Sequence, residues 1–263
     1  MNTSSTLLGR PIWYELMTTD TAAAETFYKN VVGWTAAPFE GSPMPYTIFK
    51  PGGSDHPGVA GMMQRPDDMP MPPFWAMYIG VPNFEDAVAR IKYLGGSELS
   101  PVIDMPEVGR MQMMADPQGA AFYIMKPASS EERPEGTPEL GEGSWHELMT
   151  TDMPAAMTFY RDIFGWQPSE AMDMGEGMGM YQMFDRPHGM IGGMMNQPKE
   201  LAHVPPHWGI YFLVPDINAA VDTVKAKGGQ ILNGPMEVPG GDWVVTARDP
   251  QGAAFSLHAR KKG

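Results

Sequence analysis

Glu15-Leu16-Met17-Thr18-Thr19-Asp20 recurs without a change at Glu147 to Asp152, 132 residues later. Outward from it, Phe27-Tyr28 returns as Phe159-Tyr160 and Gly33-Trp34 as Gly165-Trp166. Pro73 with Trp75-x-x-Tyr78 returns as Pro206 with Trp208-x-x-Tyr211, and Asp116 to Phe122 recurs unchanged as Asp249 to Phe255. Matches this long at a nearly fixed offset are the mark of internal duplication. The copies span residues 9–126 and 142–260. Residues 127–141 between them, rich in Glu, Pro and Gly, lack the apolar periodicity of a packed element and read as an exposed linker.

Each copy holds two smaller units. Thr19-Asp20, Pro82-Asn83, Thr151-Asp152 and Pro215-Asp216 each stand between a strand-like run and a helix-like segment. Asp and Asn suit such a position because the side chain accepts an orphan N–H of the first turn. Phe84, Val88, Ile91 and Leu94 fall on one helical face, as do Ile217, Val221 and Val224. The four helices run into Gly33, Gly95, Gly165 and Gly228, the residue type favoured just past a helix C-terminus. Short β-rich stretches follow, such as Tyr46 to Lys50, Gly58 to Met63, Met111 to Met114 and Trp243 to Ala247. The plan is strand, helix and about three strands, four times over. It predicts an α+β fold of mainly antiparallel sheets with helices on one face.

Composition narrows the function. The chain has 263 residues, 43% of them apolar, enough for two ordinary cores. A net charge of −13 disfavours nucleic acid and anionic membranes as partners. No apolar run is long enough to span a bilayer, and Met1 to Arg10 lacks the pattern of a signal peptide. With no cysteine, thiolate ligands and thiol nucleophiles are excluded. These features lead to the expectation of a cytoplasmic protein. The chain is rich in methionine, 25 residues with clusters such as Met62-Met63, Met113-Met114 and Met194-Met195. Thioethers can bind soft metals, but in strand-like segments packing is their commoner use.

With these residues in place a family pattern emerges. Phe-Tyr-(Lys/Arg)-x-(Val/Ile)-x-Gly-Trp after a strand and an Asp cap resembles the vicinal oxygen chelate superfamily, which includes glyoxalase I, bleomycin-resistance proteins and extradiol dioxygenases. Asp-Pro-Gln-Gly-Ala-Ala-Phe and the Val-Pro-(Asn/Asp) helix start resemble it too. The resemblance covers both copies and implies two glyoxalase-like domains, each of paired βαβββ units around a cavity. It also implies a pseudo-dimer within one chain, as a monomer or as a homodimer of such chains. Members hold a divalent metal with His, Glu or Gln, acting as a Lewis acid. The corresponding positions here are Trp13, Ala76 and Tyr123 in the first copy and Trp145, Gly209 and Ser256 in the second. None is a standard ligand, so no resident metal is expected.

Residues two apart on a strand share a face, so Trp13 pointing inward brings Glu15, and Trp145 brings Glu147. A carboxylate among aromatic rings would have a raised pKa and suit general acid–base work; it would equally suit a structural role holding backbone N–H groups or an Arg. The same parity places Phe74, Ala76 and Tyr78 inward, and His207, Gly209 and Tyr211 in the second copy. Tyr123, Ser256 and His258 also face in. Such aromatic walls fit a flat, largely apolar ligand or ordinary core packing. His146, His207 and His258 stand where the first copy has Tyr14, Phe74 and Met125. Glu147, His207 and His258 therefore form a conceivable displaced metal site in the second copy only; His146 lies on the opposite face. Three functions stay open: a metal-independent binder of a small aromatic molecule, an enzyme using Glu15 or Glu147 as acid or base, and a metal-dependent lyase or dioxygenase with the displaced site. The residues favour binding, with Trp13, Tyr78, Tyr123, Trp145, His207, Tyr211 and His258 as contacts. If only one copy works, the second is expected to be the active one.

Overall fold

A computed structural model describes residues 6–52, 58–67, 69, 71–129, 136–187 and 189–261. The first copy begins with β1 (Pro11–Thr18), α1 (Thr21–Val31), β2 (Thr35–Pro38), β3 (Tyr46–Lys50) and β4 (Ala60–Gln64). It continues with β5 (Phe74–Gly80), α2 (Phe84–Tyr93), β6 (Ser97–Glu98), β7 (Ile103–Met105), β8 (Gly109–Ala115) and β9 (Ala121–Pro127). The second copy repeats the order: β10 (Gly143–Thr150), α3 (Met153–Phe164), β11 (Gln167–Asp173), β12 (Met180–Arg186) and β13 (Gly189–Asn196). Then come β14 (His207–Leu213), α4 (Ile217–Ala226), β15 (Gln230–Glu237), β16 (Trp243–Arg248) and β17 (Ala254–Ala259). One sheet runs β2-β3-β4-β1-β5-β9-β8-β6 with β7 beside β8, the other β11-β12-β13-β10-β14-β17-β16-β15. Every βαβββ unit has one parallel pair, β1–β4, β5–β9, β10–β13 or β14–β17, and its other pairs are antiparallel.

The helix boundaries follow from the predicted caps. Asp20, Asn83, Asp152 and Asp216 accept backbone N–H groups of their first turns. Gly165 sits at φ 75°, left-handed, and its N–H closes on Arg161 O, so α3 stops there. The linker is less free than its composition implies. Pro127 still belongs to β9, and at the other end Gly141 is buried, its N–H given to Leu213 O. The middle of the linker, 130–135, lies outside the described residues.

Packing divides the chain differently from the repeat. One compact unit comprises residues up to Ile12, Met77–Gly136 and His146–Trp208; the other comprises Trp13–Ala76, Thr137–Trp145 and Gly209–Gly263. Each therefore joins one βαβββ unit from each copy.

The recurrent motifs build the same core in each. In the second unit α1 meets α4, and Tyr28 Oη donates to Asp249 Oδ2 at 2.9 Å while accepting from Trp75 Nε1 at 2.9 Å. The Asp249 Oδ1 atom accepts the N–H groups of Gln251, Gly252 and Ala253. Burial pushes the Asp249 carboxyl up, against those hydrogen bonds. Burial, together with the Asp249 charge, pushes the Tyr28 phenol well above its ordinary value. In the first unit α2 meets α3, and Trp208, Tyr160 and Asp116 repeat the chain at 3.0 and 3.0 Å. Stacked pairs flank both, Trp34 on Phe49 and Trp166 on Phe184. The Asp-Pro-Gln-Gly motif is thus a turn whose carboxylate ties a strand to a helix. Met62, Met114 and Met194 are buried in β4, β8 and β13, the packing use of methionine.

Candidate functional site

On the second unit's part of β1, Trp13 and Glu15 share a face and are joined by a residue from β3. Trp13 Nε1 donates to Tyr46 Oη at 2.9 Å, and Tyr46 Oη donates to Glu15 Oε2 at 2.9 Å. Glu15 is 6% exposed. The phenol thus converts an indole N–H into a directed O–H for the carboxylate. Gly61 makes the arrangement possible. It lies opposite Glu15 in the β1–β4 register, and a Cβ there would stand 1.8 Å from Tyr46 Oη. A glycine inside a strand often marks such a close approach.

The first unit repeats the frame. Glu147 on β10 lies opposite Gly193 on β13, where a Cβ would come within 2.1 Å of the Tyr181 ring. Tyr181 and Tyr46 hold equivalent registers, against Met195 and Met63. Glu147 is less buried than Glu15. Trp145, one strand position pair before it in the second unit, is half-buried.

The strand pairs beyond differ between the copies. In β5–β9, Tyr78 and Tyr123 are direct partners, stacked at 4.2 Å with their planes 2° apart, and both are buried. In β14–β17 the equivalent partners are Tyr211 and Ser256, and Ser256 Oγ bonds Thr246 Oγ1 at 3.0 Å instead. The serine leaves room that Tyr123 fills in the other copy. Next along β17, His258 Nδ1 is 2.9 Å from Ser144 Oγ and its Nε2 is 2.9 Å from Asp242 Oδ2. Ser144 Oγ also reaches Tyr211 O at 3.2 Å. The Lys261 N–H and His258 hold the Asp242 carboxyl below its usual range, overcoming the opposing effect of burial. Among the described residues, this hydroxyl–imidazole–carboxylate chain is seen in the second copy, where the first copy has Met125 in place of His258.

His207 opens β14 with its Nδ1 2.9 Å from Pro205 O. His146, set aside for its parity, is buried behind the sheet with Nδ1 2.6 Å from Ile191 O. Burial pushes its imidazole down to about 4, so it is neutral.

The structure therefore brings together Trp13 with Glu15, and Tyr78 with Tyr123. Tyr46, Tyr181, Ser144 and Asp242 are contributors that the sequence reading did not name. Among the described residues no three His, Asp or Glu side chains form a group able to hold a metal ion. At the strand positions where the resemblance puts ligands, Trp13 and Tyr123 are already engaged, Ala76 and Gly209 have no donor atom, and Ser256 is bonded to Thr246. These residues do not fit a divalent ion held in the usual way.

Comparison with known proteins adds the family. Residues 144–257 match the model described as Glyoxalase/Bleomycin resistance protein/Dioxygenase superfamily, and residues 13–125 match a glyoxalase-like domain. A protein of Mycobacterium tuberculosis named "Putative glyoxylase CFP32" is 32% identical over 95% of this chain and 94% of its own length. The anthracycline biosynthesis protein DauV of a Streptomyces species is 31% identical over 95% of this chain and 92% of its own. Among solved structures, the Mn(II)-bound glyoxalase of Novosphingobium aromaticivorans shares the fold at a TM-score of 0.65 and 15% identity, over 97% of this chain and 83% of that one.

Proposed function

The chain belongs to the glyoxalase/bleomycin resistance protein/dioxygenase superfamily, and on that premise we propose that it is a cytoplasmic, metal-independent binder of a small, flat, mainly apolar molecule. Glu15 and Glu147 are its acid–base groups. The observation that carries this reading is the Trp13–Tyr46–Glu15 chain. Where a metal-binding member would spend its first strand position on a ligand, this chain places an indole. The indole fixes a phenol, which in turn fixes a nearly buried carboxylate two residues on. An aromatic surface next to an oriented carboxylate suits a planar ring carrying one or two polar hydrogens. The relatives named for anthracycline biosynthesis fit a ligand of that kind.

Acid–base work asks only that the carboxylate take a proton from the bound molecule and return it, with Tyr46 keeping its second oxygen oriented. The test is titration with an anthracycline, read by quenching of tryptophan fluorescence, on the parent chain and on Glu15→Gln and Glu147→Gln. Retained affinity with lost turnover in either variant supports catalysis. Unchanged behaviour of both variants in binding and turnover contradicts a functional role for the carboxylates.

A further inference from the structure

Within the second unit, away from the sheet faces, an open groove of about 750 Å³ runs between α1, α4 and the end of the linker. Its presence is explained by four substitutions between the copies and by the changed exposure of one leucine. In the first unit Arg90 of α2 pairs with Asp162 of α3 at 4.0 Å, a side-chain bridge across the helix pair. The equivalent residues of α4 and α1 are Thr223 and Asn30, both lining the groove and both too short to meet in that way. Phe164, at 2% exposure, becomes Val32. Arg186, which ends β12 and gives its guanidinium to Thr6 O and Leu8 O, becomes Pro51 after β3. Leu8, 8% exposed, corresponds to Leu140, 53% exposed over the groove. These correspondences are anchored by Trp166 Nε1 on Gly9 O and Trp34 Nε1 on Gly141 O, the same bond in both units. Side chains that fill and staple this place in one unit have been shortened in the other, while the backbone around it is kept.

We infer that this groove is a second small-molecule site, taking a ligand with an apolar body and an anionic head. The body lies on Val31, Val32, Leu140, Val214 and Ala220, and the head meets Arg260 at the rim. The volume falls in the range of small-molecule sites. Arg260 is positioned there by donating to Pro138 O, and its planar guanidinium keeps further donors for a carboxylate, sulfonate or phosphate. The carboxylate of Asp216 on the same rim is already directed at the Asn218 and Ala219 N–H groups, which reduces its opposition to an anion. The site is independent of the glutamate-bearing faces.

The probe is 1-anilinonaphthalene-8-sulfonate, a naphthalene body with a sulfonate head, followed by its fluorescence on the full chain. One saturable site per chain is expected. The double variant Asn30→Asp, Thr223→Arg rebuilds the ion pair of the other unit across the groove and should weaken the probe by about tenfold or more. Arg260→Gln, at an exposed position that leaves the core untouched, should weaken it by about fivefold and remove most of its salt dependence. Glu15→Gln should leave it unchanged, which separates this site from the sheet-face reading. Absence of saturable binding, or equal affinity in the parent, the double variant and Arg260→Gln, overturns the inference.

Discussion

The two halves of the duplication agree behind their sheets and disagree in front of them. Behind, Trp75–Tyr28–Asp249 and Trp208–Tyr160–Asp116 are the same hydrogen-bonded chain with distances within 0.1 Å. In front, one strand pair carries two stacked tyrosines; the other carries Tyr211, Ser256 and the His258–Asp242 pair. Duplication kept what folding needs in both copies, since each compact unit takes one βαβββ element from each and so requires the motif twice. It left the residues of the front strand pairs free to diverge.

The largest effect should come from breaking the shared part. Asp249→Ala strands a buried phenol and three backbone N–H groups, so it should cost about 3 kcal/mol, measured by urea unfolding. Asp116→Ala should cost the same within about 1 kcal/mol. A large inequality would mean the two cores are not equivalent.

A comparable effect is confined to acid. The His146 imidazole lies near 4 when folded against an ordinary 6.5. For a base with a depressed folded value, stability is fully present above about 6.5 and is lost as pH falls from there through 4. The loss is on the order of 3 kcal/mol. The first copy has Tyr14 at this place, so His146→Gln, which keeps a donor for Ile191 O, should flatten the slope of unfolding free energy between those values.

Smaller still, Gly61→Ala and Gly193→Ala should each cost about 1–3 kcal/mol by forcing Tyr46 or Tyr181 off its site. Gly61→Ala should also weaken ligand binding by releasing Glu15 from Tyr46. Last, Asp242→Asn removes the carboxylate that His258 hydrogen-bonds, at a partly exposed position, and should cost only about 0.5–1 kcal/mol. It tests whether the chain peculiar to the second copy matters to function more than to stability, by comparing its effect on ligand affinity with its effect on unfolding.

Most of the fold was readable because its signals are local. Asp caps, terminal glycines and β-rich stretches are each decided within a few residues, and every one of the four helices forms where they stand. Two things escaped. Tyr46 and Tyr181 are structural equivalents but lie 135 residues apart, not 132, because the surrounding loops differ in length. A reading at fixed offset passes over them; the signal available was the glycine inside each partner strand, Gly61 and Gly193. Asp242 joins His258 from a turn 16 residues away and belongs to no periodic pattern. The division into packing units is set by long-range contacts that no local motif encodes.

The central claim is that the glutamate-bearing faces bind their ligand without a divalent ion. Its most direct test is elemental analysis of protein purified without chelators, paired with the anthracycline titration before and after treatment with EDTA. The account predicts less than about 0.1 metal ion per chain and the same affinity in both titrations, since no side chain at the expected positions favours a divalent cation. Stoichiometric Ni, Zn, Fe or Mn that disappears in His207→Ala or His258→Ala, together with loss of binding after EDTA, would contradict it.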